Sequence, residues 1–114
     1  MPHCIIEHSS SLNASELNQV VFQGALESQL FEADGRDIKV RSIAYDHFQT
    51  GTERQDFIHV TLRILSGRSD DAKLKLSQSV LAKLESLALT DVSLTVEVVD
   101  MDRDSYSKRV VSGD

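Results

Sequence analysis

Pro2 follows Met1 and opens a short apolar strand, Pro2-His3-Cys4-Ile5-Ile6-Glu7-His8. A proline nitrogen within a chain is a tertiary amide with no basic lone pair, whereas at the start of a chain it is a secondary amine. Met1 is of the kind that methionine aminopeptidases trim, because the residue after it is as small as proline, so Pro2 is expected to become that amine. A chain-terminal amine titrates within about a unit of neutrality, and burial or neighbouring cations lower its proton affinity by disfavouring the charged form. Such a group can take up and return a proton at physiological pH. Three cations stand out beside it. Lys39 and Arg41 alternate along one segment and so share a strand face, and Arg68 sits in a strand-to-helix turn. Without further context these three also fit an ordinary exposed strand face and a solvated turn, and Met-Pro alone is a common start.

The chain has 114 residues, 40% hydrophobic and 26% charged, which fits a single domain over residues 1–114 with a modest core. Eighteen acidic residues against twelve basic ones give a formal charge of -6. The surface as a whole therefore has no general attraction for nucleic acid or an anionic membrane, and any anion must be held by a local basic cluster. The lone Cys4 cannot form an internal disulfide and reads as a small buried hydrophobe, compatible with a reducing cytoplasm. His3, His8, His47 and His59 have no recognisable ligand spacing, so no metal is expected. No signal sequence or membrane-spanning run is readable, and a cytoplasmic location is expected.

The elements that must position these residues form two similar units. Residues 3–8 read as a strand. Asn13 and Glu16 then supply a helix start, and the apolar stripe Leu17, Val20, Val21, Gly24, Ser28, Phe31 carries the helix to about Leu30, with Asp34-Gly35 as its stop. Residues 38–46 form a second strand, which closes the first unit, 2–46. The polar loop 47–55 is long enough to cover a pocket and equally suits a plain connector. Phe57 to Leu65 alternates cleanly, Ser69 caps a second helix with Asp70 and Asp71 at its positive end, and Val92 to Val98 alternates again. The second unit spans 56–99, and a charged tail covers 100–114.

Placing His3 on His59 superposes strand on strand and the Asn13 cap on the Ser69 cap, an offset of 56 residues. Each strand-helix-strand crossover is right-handed with parallel strands. Two such units give an α/β fold, a four-stranded mixed sheet with two helices on one face. The other face would carry His3, Ile5, Glu7, Ile43, His59, Thr61, Thr95 and Val99, a mixture that suits a protein partner.

The start Pro2-His3-x-Ile5-x-Glu7, the strand Lys39-Val40-Arg41, and the block Phe57-Ile58-His59-Val60-Thr61-Leu62-Arg63-Ile64-Leu65-Ser66-Gly67-Arg68-Ser69 together resemble the tautomerase superfamily. Within it they resemble 5-carboxymethyl-2-hydroxymuconate delta-isomerase, over residues 2 to about 99. The resemblance implies a homotrimer with the uncovered sheet faces inside. It also implies a cofactor-independent isomerase of aromatic catabolism, whose amino-terminal proline moves a proton in a 2-hydroxy or 2-oxo unsaturated acid. On that reading Pro2 is the catalytic base and acid, and Arg68 engages a substrate carboxylate through its planar fork. Lys39 and Arg41 hold the other carboxylate or the 2-oxo oxygen and lower the amine's proton affinity. Lys39 stands where such enzymes often have arginine, which keeps the charge and loses the fork, and the loop after Tyr45 differs in detail and is expected to bear on substrate choice.

Two alternatives come from other classes. One is a catalytically idle, cytokine-like trimeric binding module on the same fold. The other is a different proline-based reaction, decarboxylation or hydration of an unsaturated acid, since the same amine can form an iminium or activate water.

Overall fold

The computed structural model describes residues 1–113; Asp114, the last residue of the expected tail, lies outside them. The order of elements is β1 (His3–Ser9), α1 (Ala14–Glu27), β2 (Lys39–Tyr45), β3 (Asp56–Leu65), α2 (Asp70–Glu85) and β4 (Val92–Met101). The strands form one sheet in the order β2-β1-β3-β4. β1 runs parallel to β2 and β3 parallel to β4, while the two units meet through the antiparallel pair β1/β3, with Ile5 opposite Thr61 and Ile6 opposite Val60. This is the repeated β-α-β arrangement expected from the 56-residue offset.

Period-two alternation decides which sheet face is covered. Cys4, Ile6, Ile58, Val60, Leu62 and Ile64 are almost completely buried under the helices, together with Leu17, Val21 and Ala25 of α1 and Leu76, Val80 and Leu84 of α2. Burial pushes the Cys4 thiol up to about 12, so Cys4 is a core residue rather than a nucleophile. His8, also buried, donates or accepts at Nδ1 with the Ser9 carbonyl at 2.8 Å, and since a carbonyl only accepts, Nδ1 carries the proton. The helices begin where their caps direct. Asn13 Oδ1 accepts from the Glu16 amide at 3.1 Å, and Ser69 Oγ accepts from the Ala72 amide at 3.1 Å.

Two boundaries and the place of one loop differ from the sequence expectation. α1 ends at Glu27, not near Leu30, because Gln29 adopts a left-handed backbone with φ of 62°. Residues 28–37 consequently form a loop beside the chain start. β4 continues to Met101, because it pairs with β3 as far as Leu65, and the Ser66 amide donates to the Met101 carbonyl at 2.9 Å. The segment after it turns at Asp102, whose carbonyl accepts from the Tyr106 amide at 3.1 Å, and folds back across the sheet end. Finally, the 46–55 loop lies at the far end of the sheet from the chain start. It is pinned there by Phe48 against Phe57, by Arg54 over Phe48, and by the Phe57 amide donating to Ser9 Oγ. The length of β1 separates the two ends by roughly 20 Å, so this loop does not cover a pocket at the chain start of its own subunit.

The helices approach each other closely at Gly24. A Cβ there would lie 2.8 Å from the Val80 Cα and 3.1 Å from the Ser79 carbonyl oxygen, and neither backbone atom can rotate away. Gly24→Ala is therefore expected to destabilise the fold by about 1–3 kcal/mol despite alanine's better helix propensity. The denaturant midpoint measures this; an unchanged or raised midpoint would show that the helices separate without cost.

Candidate active site

Antiparallel pairing sets His3 opposite Arg63, and parallel pairing sets His3 opposite Lys39. The start of the chain therefore lies at the sheet end where β2 begins and where β3 and β4 finish. Lys39, Arg41, Arg63, Arg68, Arg103 and Lys108 gather there, a local basic cluster on an acidic protein. A cavity of about 450 Å³ opens at this end, lined by Met1, the 29–33 loop, Asp37, Leu65, Arg68 and Arg103. The loop that follows α1 supplies one wall. The turn from β3 into α2 supplies another.

Pro2 is fully buried, and its carbonyl accepts from the Lys39 amide at 3.1 Å, which fixes it as the first rung of β1. In this structure Met1 precedes it, so its nitrogen is an amide. The Met1 ammonium donates to the Asp37 carbonyl oxygen at 2.7 Å, and Lys39 Nζ donates to the same oxygen at 3.3 Å. The amine and the lysine thus share one acceptor. Burial, then Lys39 and Lys108, hold the amine's pKa below its ordinary value, with Asp37 opposing them. Met1 also lines the arginine cavity, whereas the buried Pro2 does not.

Arg68 reaches the cavity from the turn after β3. Its Nη2 donates to the Leu30 carbonyl at 2.9 Å, and its guanidinium stands 5.8 Å from the centre of the Phe31 ring. Both contacts depend on the loop that replaces the last turn expected of α1. Lys39 and Arg41 are placed differently. They lie on the uncovered sheet face with His3, whereas the cavity lies between loops at the sheet end. Arg41 Nη1 donates to His3 Nδ1 at 3.3 Å. A guanidinium has no acceptor, so His3 carries its proton on Nε2, which donates to Tyr106 Oη at 2.9 Å. Burial, then Arg41, Lys39, the amino terminus and Arg63, lower the His3 pKa and favour that neutral ring. The structure therefore brings the amine, Lys39 and Arg68 to one sheet end, with Arg41 on the adjoining face of the same end.

Arg103 is the cavity residue that sequence reasoning missed. It follows the last strand in a charged segment without periodicity, and only the pairing of Leu65 with Met101 reveals that it must return beside Ser66. Lys108 and Tyr106 were hidden for the same reason. Lys108 Nζ donates to Asp37 Oδ1 at 3.1 Å, holding that carboxyl below its usual range. Across the uncovered face a separate polar group forms, with His59 between Thr95 and Glu97, and Tyr45 Oη donating to Glu7 Oε2 at 2.7 Å.

Solved structures share this repeated β-α-β fold. One is a 5-carboxymethyl-2-hydroxymuconate delta-isomerase, 16% identical, with a TM-score of 0.73 over 97% of this chain and 89% of that one. Another, from Deinococcus radiodurans R1, is a 5-carboxymethyl-2-hydroxymuconate isomerase, 21% identical, with a TM-score of 0.70 over 95% of this chain and 88% of that one. A fused 4-OT asymmetric trimer is 11% identical, with a TM-score of 0.76 over 93% of this chain and 91% of that one. The family model for 5-carboxymethyl-2-hydroxymuconate isomerase matches residues 2–110, so the chain belongs to that family and is an isomerase by class. Comparison with curated protein sequences yields no match. The family match runs past the strands into the returning segment that carries Arg103, Tyr106 and Lys108.

Lys39 is close enough to the amine to act on its titration. Replacing it, as Lys39→Met, removes a like charge and is expected to raise the amine's pKa. The pH dependence of amino-terminal acylation measures this, and a midpoint that stays put or falls would contradict the placement of Lys39.

Proposed function

We propose that the protein is a cofactor-independent tautomerase that moves a proton in a 2-hydroxy or 2-oxo unsaturated dicarboxylic acid, with Pro2 as base and acid once Met1 is removed. The observation that carries this reading is the position of Met1. It lines the arginine cavity and is bonded directly to the buried Pro2, so its removal would free the Pro2 nitrogen at the cavity where Met1 now stands. The new amine would also inherit surroundings that already depress the pKa of the amine now present.

In the reaction, the neutral amine takes the 2-hydroxyl proton of the dienol, leaving negative charge spread over the oxygen and the conjugated carbons. The resulting ammonium returns a proton to carbon, giving the enone. Substrate and product are isomers, so the amine ends in the state in which it began. Arg68 holds a carboxylate, and Lys39 and Arg41 stabilise charge at the 2-oxo oxygen. The uncovered sheet face, with half-exposed Ile43 among hydrogen-bonded polar groups, is the surface through which three subunits would associate. That association would set Arg41 of one subunit near the site of another. The family and the trimeric neighbour support both parts of the proposal.

General acid-base catalysis contributes roughly 100- to 10,000-fold, so Pro2→Ala is expected to lower kcat/KM for ketonisation of a 2-hydroxydienoate by that order. Full activity in this variant would remove the proline from the mechanism. Because the amine acts as a neutral base, kcat/KM should rise with pH through its pKa, on a limb lying below the ordinary range of a chain-terminal amine. A rate independent of pH across that limb would contradict the assignment. Arg68→Ala is expected to cost roughly 10- to 100-fold toward a dicarboxylate. An equal loss with an uncharged enol would contradict its carboxylate-binding role.

A further inference from the structure

We infer that Arg103 is a second carboxylate-binding residue, which together with Arg68 makes the cavity at the chain start select a substrate carrying two carboxylates. This deepens the proposed tautomerase reading and rests on it for the reaction, though not for the binding.

Arg103 is held by the turn before α2 at two points. Its amide donates to Ser66 Oγ at 3.3 Å, and its Nε donates to the Ser66 carbonyl at 3.1 Å. Those contacts fix the guanidinium plane while using one of its five N–H bonds. Gly67 separates Ser66 from Arg68, and its φ of 117° is one that residues with a Cβ rarely adopt. A Cβ at that position would meet Arg103 Nη2 in ordinary contact at 3.8 Å, so the backbone conformation and not space is what calls for glycine there. The two arginines thereby line one cavity, Arg68 from the turn itself and Arg103 from the segment bonded to it.

Their charges are uncompensated among the described residues. The acidic side chains of the cavity wall are engaged elsewhere, Glu32 with Arg36 at 3.5 Å and Asp37 with Lys108 at 3.1 Å, and neither Arg68 nor Arg103 forms an ion pair. Two guanidinium groups without counterions at a cavity of about 450 Å³ suit a small dianion, since each can bind a carboxylate through two parallel hydrogen bonds. One carboxylate can accept from both but leaves one positive charge of the pair unneutralised, and a second carboxylate cancels it.

The test compares Arg103→Gln with the unaltered protein on two 2-hydroxydienoates, one with a single carboxylate and one with a carboxylate at each end. The preference for the dicarboxylate, taken as the ratio of kcat/KM values, is expected to fall roughly 10- to 100-fold, mainly through KM. Arg103→Lys should restore part of it, and thermal melting confirms that each variant is folded. An unchanged ratio overturns the inference, whether both rates fall together or neither falls. Binding is read separately by calorimetric titration with adipate, which has no enol to turn over, against hexanoate. Adipate should bind the unaltered protein and Pro2→Ala alike and Arg103→Gln more weakly. Equal adipate binding to all three would overturn the role of Arg103 and leave the proline mechanism standing. Undiminished turnover by Pro2→Ala, with adipate binding still dependent on Arg103, would do the reverse.

Discussion

The antiparallel pairing of β1 with β3 is the constraint on which the rest depends. Each unit alone would place its own first residue beside the start of its own second strand and nothing more. Joining the units antiparallel, with His3 opposite Arg63, carries the end of β3, and through it the end of β4, to the start of the chain. The turn bearing Arg68 and the returning segment bearing Arg103, Tyr106 and Lys108 then converge on Met1 and Pro2. A one-residue slip in this pairing would turn either Ile6 or Val60 and Leu62 out of the core, so the burial of those residues and the assembly of the site are fixed by one register.

Convergence has an electrostatic result. A protein of formal charge -6 gathers cations at the end where its chain begins. Some are matched, as Lys108 is by Asp37, while Arg68 and Arg103 face the cavity. The amine lies within reach of Lys39 through their shared acceptor, the Asp37 carbonyl, so its proton affinity and the position of the anion-binding groups are set by the same few residues. His3, neutral and protonated on Nε2, ties Arg41 on the sheet face to Tyr106 in the returning segment.

How much of this the sequence reveals depends on whether a feature is local or topological. The clean alternation of Ile58, Val60, Leu62 and Ile64, the caps Asn13 and Ser69, and the 56-residue offset are local signals, and each appears in the structure as the pattern requires. The stop of α1 is local too, yet it was misplaced, because a left-handed glutamine carries no compositional mark while Asp34-Gly35 does. The membership of Arg68 in the cavity was accessible only through the block that precedes it. Arg103 was not accessible, since its position follows from the length and pairing of β4 and not from its neighbours in sequence. The 46–55 loop shows the converse: its composition suited a pocket cover, but the topology sends it to the other end of the sheet.

The central claim is that the base is the nitrogen of Pro2, freed by loss of Met1. Its most direct test is the intact mass of catalytically active protein, measured on the same sample as ketonisation of a 2-hydroxydienoate followed by ultraviolet absorbance. The account predicts that the active species lacks one methionine and that any fraction retaining Met1 contributes no turnover. A fully active protein that still carries Met1 would contradict it, because the Pro2 nitrogen would then be an amide and the proton would have to move through another group.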